Sequence, residues 1–500
     1  MAKPHPDQMN KFETSNTSRN IEDPPIHLET VKPSDNVRPT EVSREDNFNS
    51  TAGGSRNPQN WPKWKREAQI WIVSIHSMIS TFMAAGIIPA YESMAEEYRV
   101  TVHKTSYLSS SQILLLGVAP LLWGPISSRY GRYHLCLVSV FASMLLNIGG
   151  ARCTTFASQL ATRVLTAFFI SPPIGIGGGI ITELASPEHR AEKLGYWTLL
   201  TVLGTPTGPL IMGFVVQHAG VSWVYWIYAI LNFSQLLVYL TLGAETRYIE
   251  NEDSEAADEA PGPSLARRLL PRRIDTTPLS ISDFIEPLFL AKYPRILIPA
   301  LATSIIFCYG NIAIVIEMPI AVGEKFGLDA QQTGLQFIAI IIGSVLGEQL
   351  SGPLSDYVLN NLKRRRANVC PADRLWLFYV GFATVFAGLL TWGFQLQHAS
   401  TTWNVTPCVG AAIAGLGNQI QTTILLAFAV DSYRTFSGQI GVFINFCRLV
   451  YGFTGPFYLP PLFLSLGLGG AAGVMCAIMV VGALIPIIAI QIAAARAVHQ

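Results

Sequence analysis

The apolar residues of this chain gather into twelve runs. Each is close to the ~20 residues that a helix needs to cross the ~30 Å hydrocarbon core of a bilayer. Six runs lie at 69–90, 106–126, 133–152, 158–182, 194–217 and 221–243 (spans 1–6). After a polar interval, six more lie at 294–321, 332–354, 373–395, 405–430, 437–460 and 470–495 (spans 7–12). Lipid offers no hydrogen-bond partner to an open backbone, so runs of this length must be helices. Composition agrees: 13% of the chain is charged and 50% hydrophobic, with a mean hydropathy of +0.35, where soluble domains carry about 25% charge. The pattern predicts an all-α membrane protein of twelve transmembrane helices in two six-helix bundles.

Residues 1–60, rich in Asn, Ser, Thr, Pro and acids, read as a disordered cytosolic tail. Residues 61–243 then form the first bundle, 244–292 an inter-bundle loop, and 293–500 the second bundle. No basic-then-apolar leader opens the chain, so span 1 is expected to direct insertion. Charge sets the orientation. One side collects Lys63, Lys65, Arg66, Arg129, Arg132, Arg190, Lys193, Arg267, Arg268, Arg272, Arg273, Lys363, Arg364, Arg365 and Arg366. The other keeps Arg99, Lys104, Arg152 and Lys325. Both termini are therefore expected in the cytoplasm. The inter-bundle loop is acidic first (Glu250 to Glu259) and basic after ("ARRLLPRR", 266–273), as a solvated linker or an anionic-lipid contact would be.

"GPIS" (124–127) closes span 2 and "GPLS" (352–355) closes span 8. A repeat at equivalent positions of the two halves is how many secondary transporters are built, with a pseudo-two-fold axis and a substrate site at the midplane. Other functions lack their residues. There is no phosphate-binding G-x-x-x-x-G-K-[ST] loop for an ATP-driven pump. Nine scattered histidines provide no membrane-face cluster for an enzyme, and no basic, aromatic-interleaved surface suits nucleic acid. The seven cysteines have neither metal spacing nor a disulfide framework, although Cys153 and Cys408 fall on the same predicted side.

The specific motifs follow span 2 and fill span 5. "GPISSRYGRYH" (124–134) matches Gly-x-x-x-Asp-Arg-x-Gly-Arg-Lys/Arg at Gly124, Arg129, Gly131 and Arg132, with Ser128 replacing the Asp. Asp356 of "GPLSDY" keeps an acid at the corresponding place in the second half. Span 5 reads Gly195, eight residues, Gly204, three residues, Gly208-Pro209, then Met212-Gly213. With six-plus-six topology, these motifs resemble the major facilitator superfamily and, through G-x8-G-x3-GP-x2-GG, its drug:proton antiporters. "NPQNWPKWKRE" (57–67) and "DSYR" (431–434) resemble a fungal branch, the polyamine and organic-cation transporter-like group. The resemblance covers residues 58–496 and implies the major facilitator fold and alternating access. It assigns Arg129, Gly131, Arg132 and Asp356 to a conformational latch, and Arg163 of span 4 and the span-5 residues Gly204, Gly208, Pro209 and Gly213 to coupling.

Read as residues, Arg163 is a costly intramembrane charge that needs a partner or must snorkel to the surface. Gly204 and Gly208, four apart, share a helix face on which another backbone can approach closely; Gly195 and Gly213 fall elsewhere. Pro206 and Pro209 deprive the carbonyls of Val202 and Thr205 of helix partners, with Thr201, Thr205 and Thr207 at hand. In the second half, Glu317 could carry a proton, pair with a cationic substrate, or neutralise Arg448. Asn418 and Gln419 lie at mid-span 10, and Asn445, Arg448 and Tyr451 in span 11; these are the expected substrate or proton-binding residues. Glu348 and Asp431 suit gating or anchoring, and His76 suits helix packing better than proton relay. Asn404 of "NVT" is the one sequon on the outer side. The expectation is a monomeric proton-coupled transporter exporting small organic molecules by antiport, with no cofactor beyond the coupling proton. Its partners are a small-molecule substrate and membrane lipid, in the plasma membrane or alternatively the vacuolar membrane. An uptake permease of the same fold, or a transporter-like sensor, is the alternative.

Overall fold

The computed structural model describes residues 57–186, 189–247, 273–275, 278–365 and 371–499. Most of the predicted tail, the acidic stretch 250–259, Arg267, Arg268, Arg272 and Arg366 lie outside them, as do Asn16 and Asn49, which head two further sequons expected on the cytosolic side, and the side chains of Asp356 and Lys363 to Arg365.

Ten crossing helices are continuous segments: α1 (Lys63–Tyr98), α2 (Val102–Tyr130), α3 (Arg132–Gly150), α4 (Phe156–Leu184), α5 (Arg190–Ala219), α6 (Val221–Leu242), α7 (Pro294–Glu324), α8 (Ala330–Ser355), α9 (Pro371–His398) and α10 (Thr406–Ser432). The eleventh, Ser437–Ala494, is too long for one crossing. Gly467 breaks it at φ 70°, ψ 169°, giving α11 (437–466) and α12 (468–494). Only glycine takes that conformation at no steric cost. The described residues thus hold twelve membrane-crossing arms and no strand.

Local chemistry explains where the helices begin and end. Thr101 and Thr155 accept the N–H of Lys104 and Ser158, both at 3.2 Å, to start α2 and α4. Asp329 and Gln332 form a reciprocal capping box at the head of α8. Span 1 is longer than its hydropathy suggests, because past Gly86 and Pro89 the chain resumes as the polar helical turn Tyr91–Tyr98.

Packing follows the repeat. α1 lies on α5 and α6, α2 on α4, and α3 on α4 and α6; in the second half α7 lies on α11 and α12, α8 on α10, and α9 on α10 and α12. The halves meet through α2 against α11 and α5 against α8, two seams that exchange when helix n is mapped onto n+6. Burial obeys the same mapping: 78% of the apolar window is buried in both α1 and α7, 61% in α4 and 67% in α10. These four are the most enclosed of the crossing segments. Val138, Phe141 and Leu145 of α3, Ile230 and Phe233 of α6, and Val481 and Ile485 of α12 are exposed, as lipid-facing residues are.

Candidate functional site

Span 5 presents different glycines to different neighbours. A Cβ on Gly204 would strike Thr81 Oγ1 and the Met78 carbonyl, and one on Gly208 would lie 2.5 Å from the Phe82 carbonyl, so this face rests directly on the α1 backbone. Thr81 crosses the seam to donate to the Thr201 carbonyl at 2.7 Å. Gly213 points to the other half. There a Cβ would meet the Ala330 carbonyl at 2.6 Å, and Gly334 of α8 faces Pro209 and Gly213 in return. Near the opposite end of α5, the nearest atom to a Gly195 Cβ is a carboxylate oxygen of Glu348, at 3.7 Å. Met212, the departure from the motif, is fully buried and packs into the space left by Gly86 at the end of the first segment of α1. Pro206 and Pro209 lie within an uninterrupted α5. Thr207 turns to the Leu203 carbonyl at 2.6 Å, while Val202 and Thr205, whose carbonyls the prolines release, line the central cavity. Irregular backbone at membrane depth is tolerated in such a place.

Arg163 is 1% exposed and so does not snorkel. Its guanidinium donates to the carbonyls of Met83 at 2.9 Å and Ala84 at 3.2 Å. These belong to the last turn of Lys63–Ala85, where the helix ends and leaves carbonyls without partners. A cation at a helix C-terminus also meets the negative end of its dipole. The partner of the span-4 charge is therefore backbone.

The central cavity lies between the halves, lined by residues of α1, α2, α4, α5, α7, α10 and α11. Its walls are mostly apolar, with the hydroxyls of Thr81, Ser109, Thr201 and Thr205 and, from the second half, Asn311 (α7), Asn418 (α10), Asn445 and Arg448 (α11) as polar groups. Arg448 donates to Asn445 Oδ1 at 2.8 Å and lies 4.8 Å above the Phe307 ring. Glu317 is one helical step beyond the cavity residues Val315 and Ile316, 1% exposed, with neither carboxylate oxygen hydrogen-bonded. It makes no ion pair with Arg448. The helix around it is irregular, with π-turns at Cys308–Ile312 and Pro319–Glu324; such turns recur at functional sites. Gln419 donates to Glu348, which also accepts from Thr423. The Tyr451 hydroxyl lies 3.2 Å from that of Tyr309, which accepts from Tyr458 at 3.2 Å.

On the basic face, Gly131 turns the chain from α2 into α3 at φ 88°. Arg132 forms a two-pronged bridge to Glu183 of α4, both contacts at 2.7 Å. Glu245, just past α6, accepts the N–H groups of Arg132 and Tyr133, both at 3.0 Å, and so caps α3. Arg129 bridges Asp275 at 2.9 Å and Asp283 at 3.2 Å, while its carbonyl accepts from Ile274 at 2.8 Å. Acids from the inter-bundle segment thus meet the arginine of a motif that carries Ser128 in place of its Asp. In the second half Arg374 pairs with Asp431 at 2.9 Å. Sequence reasoning missed Glu183, Glu245, Asp275 and Asp283; the available signal was acidic residues at helix ends on the basic side.

His76 is fully buried with Tyr239 at 3.0 Å on one ring nitrogen and Ser139 at 3.4 Å on the other, tying α1 to α6 and α3. Cys153 and Cys408 are unbridged. Asn404 is exposed, and its side chain accepts the Thr406 N–H at 3.1 Å.

A profile of the Major Facilitator Superfamily matches residues 70–456. The chain is 28% identical over 438 residues to the MFS-type transporter atr4 of Stereocaulon alpinum, covering 86% of this chain and 78% of that protein. It is 28% identical over 481 residues to the efflux pump vrtL of Penicillium aethiopicum, covering 89% and 91% respectively. Among solved structures, the peptide transporter POT in complex with sulfate superposes at a TM-score of 0.60 over 85% of this chain and 95% of that one; at 16% identity the likeness is one of fold.

Proposed function

Since the chain belongs to the major facilitator superfamily, we propose that it exports small organic molecules by proton antiport, exposing its central cavity alternately to the two sides of the membrane. The observation that carries proton coupling is Glu317, an enclosed carboxyl with both oxygens unpartnered beside the cavity. An ionised carboxylate without partners costs several kcal/mol in such surroundings and the neutral acid far less. Such a group suits the pick-up and release of a proton as its surroundings open and close. Export is supported by the span-5 pattern and by relatives named as efflux pumps. Arg129, Gly131, Arg132 and Asp356 serve the conformational switch on a cytosolic basic face. Arg163, Gly204, Gly208, Pro209 and Gly213 set how α5 moves against α1 and α8. Asn418, Asn445 and Arg448 contact substrate, and Gln419, bonded to Glu348, and Tyr451, beside Tyr309, belong to the same substrate or proton-binding set. The plasma membrane is the proposed site, with Asn404 glycosylated on its outer side.

In this conformer the seams on the face opposite the basic one are tight. Gly213 and Gly334 pack together, Tyr107 stacks on Phe457 at 4.7 Å, and His218 meets Gln331 at 3.0 Å. Alternating access requires these contacts to part. The test is Glu317→Gln in proteoliposomes. The variant should lose net transport driven by a pH gradient yet keep substrate-for-substrate exchange, which needs no proton to turn over. Wild-type pH-driven transport by Glu317→Gln would remove the residue from the coupling mechanism.

A further inference from the structure

The charge inventory of the cavity is one-sided. Among the described residues that line it, Arg448 alone is ionisable; the others are apolar, hydroxyl or amide side chains. Among the described residues no carboxylate lies within ion-pairing distance of that guanidinium, whose polar contact is the neutral oxygen of Asn445 and whose Nε has no partner. Phe307 covers one face of it at 4.8 Å and partly offsets the charge. The nearby acids are turned elsewhere: Glu317 is shut off from the cavity, and Glu348 is engaged by Gln419 and Thr423. An uncompensated cation at membrane depth is expensive, and it is retained where something supplies the opposite charge.

From this we infer that the substrate is an amphipathic organic anion. Its acidic group is received by Arg448, with Asn445 and Asn418 beside it, and its apolar body lies against Ile113, Leu116, Ile174, Ile312, Ile316 and Leu449. A guanidinium presents a planar fork of donors suited to carboxylate, sulfonate or phenolate oxygens. A cationic substrate would find no acid here and would have to displace the charge of Arg448. The organic-cation branch that "NPQNWPKWKRE" and "DSYR" resemble is therefore no guide to its cargo. The inference rests on the reading of the cavity as the transport site, but not on proton coupling or direction.

Three probes of one shape and different permanent charge test it: naphthalene-2-sulfonate, naphthalene-2-sulfonamide and (2-naphthylmethyl)trimethylammonium. Equilibrium binding to the full chain in lipid nanodiscs, against empty nanodiscs, needs neither a gradient nor turnover. The sulfonate should bind at least about tenfold more tightly than either other probe, the factor expected for a charge-assisted hydrogen bond. Arg448→Gln should abolish the preference and Arg448→Lys should keep part of it. Asn445→Asp, which places a carboxylate beside the guanidinium without removing it, should abolish the preference as well. Equal binding of the three probes at any affinity, none included, overturns the proposal. So does preference for the ammonium, or a sulfonate preference that survives Asn445→Asp. Loss of pH-driven transport with the sulfonate preference intact would instead count against antiport alone.

Discussion

At the scale of single residues, the intramembrane charges have three different fates. Arg163 is spent on backbone: it satisfies two carbonyls at a helix end. Arg163→Ala should therefore lower stability by about 2–4 kcal/mol, through lost charged hydrogen bonds and a buried void. Arg163→Lys should recover part of it. Thermal unfolding in detergent checks this; an unchanged unfolding temperature with lost transport would assign Arg163 to the transport cycle instead. Arg448 faces the cavity and Glu317 faces neither cavity nor partner. The sequence located all three, because a charge in an apolar run is conspicuous. It could not say which would pair, since the partners of Arg163 are main-chain atoms far along the chain, and those of Arg132, Glu183 and Glu245, sit at the ends of other helices.

At the scale of elements, α5 shows why its glycines are not interchangeable. A Cβ at Gly208 must displace main-chain atoms of α1, whereas at Gly195 the nearest atom is a side-chain oxygen at 3.7 Å. Gly208→Val should cost about 1–3 kcal/mol or prevent folding, as overpacking does, while Gly195→Ala should be near neutral. Unfolding temperatures of the two variants check the contrast. The spacing of the motif announced the Gly204/Gly208 face. The contact of Gly213 with Gly334 could not be read, since nothing in span 5 specifies which helix of the other half it will meet. Span ends were blurred for a related reason: hydropathy fades at the polar turns Lys63 to Glu67 and Tyr91 to Tyr98 although the helix continues. The inter-bundle segment adds a second element-level expectation. Asp275→Asn with Asp283→Asn frees Arg129, whose bridges are partly exposed and worth about 1 kcal/mol. Hydrogen exchange over 274–285 should rise without loss of the fold; unchanged exchange would mean that the segment is held by other contacts.

At the scale of the whole molecule, the n to n+6 mapping organises burial, the two inter-half seams and the enclosed cavity. The six-plus-six pattern of apolar runs made that architecture legible before any contact was known. The chemistry of the cavity was not legible, because it depends on which faces of seven helices turn inward. The function proposed from it has an electrical consequence. Export of a monoanion against one inward proton moves two charges in the same sense, so an inside-negative potential contributes about 4.6 kcal/mol per 100 mV. A valinomycin-imposed potassium potential, negative on the cytosolic side, should therefore accelerate export of naphthalene-2-sulfonate; indifference to potential would exclude this stoichiometry. The most direct test of the central claim is transport in oriented membrane vesicles with an imposed pH gradient and this impermeant sulfonate as probe. Inside-out vesicles with an acidic lumen should accumulate it, and a protonophore should abolish the accumulation. Accumulation instead by right-side-out vesicles in an acidic medium would contradict the account and identify an uptake permease.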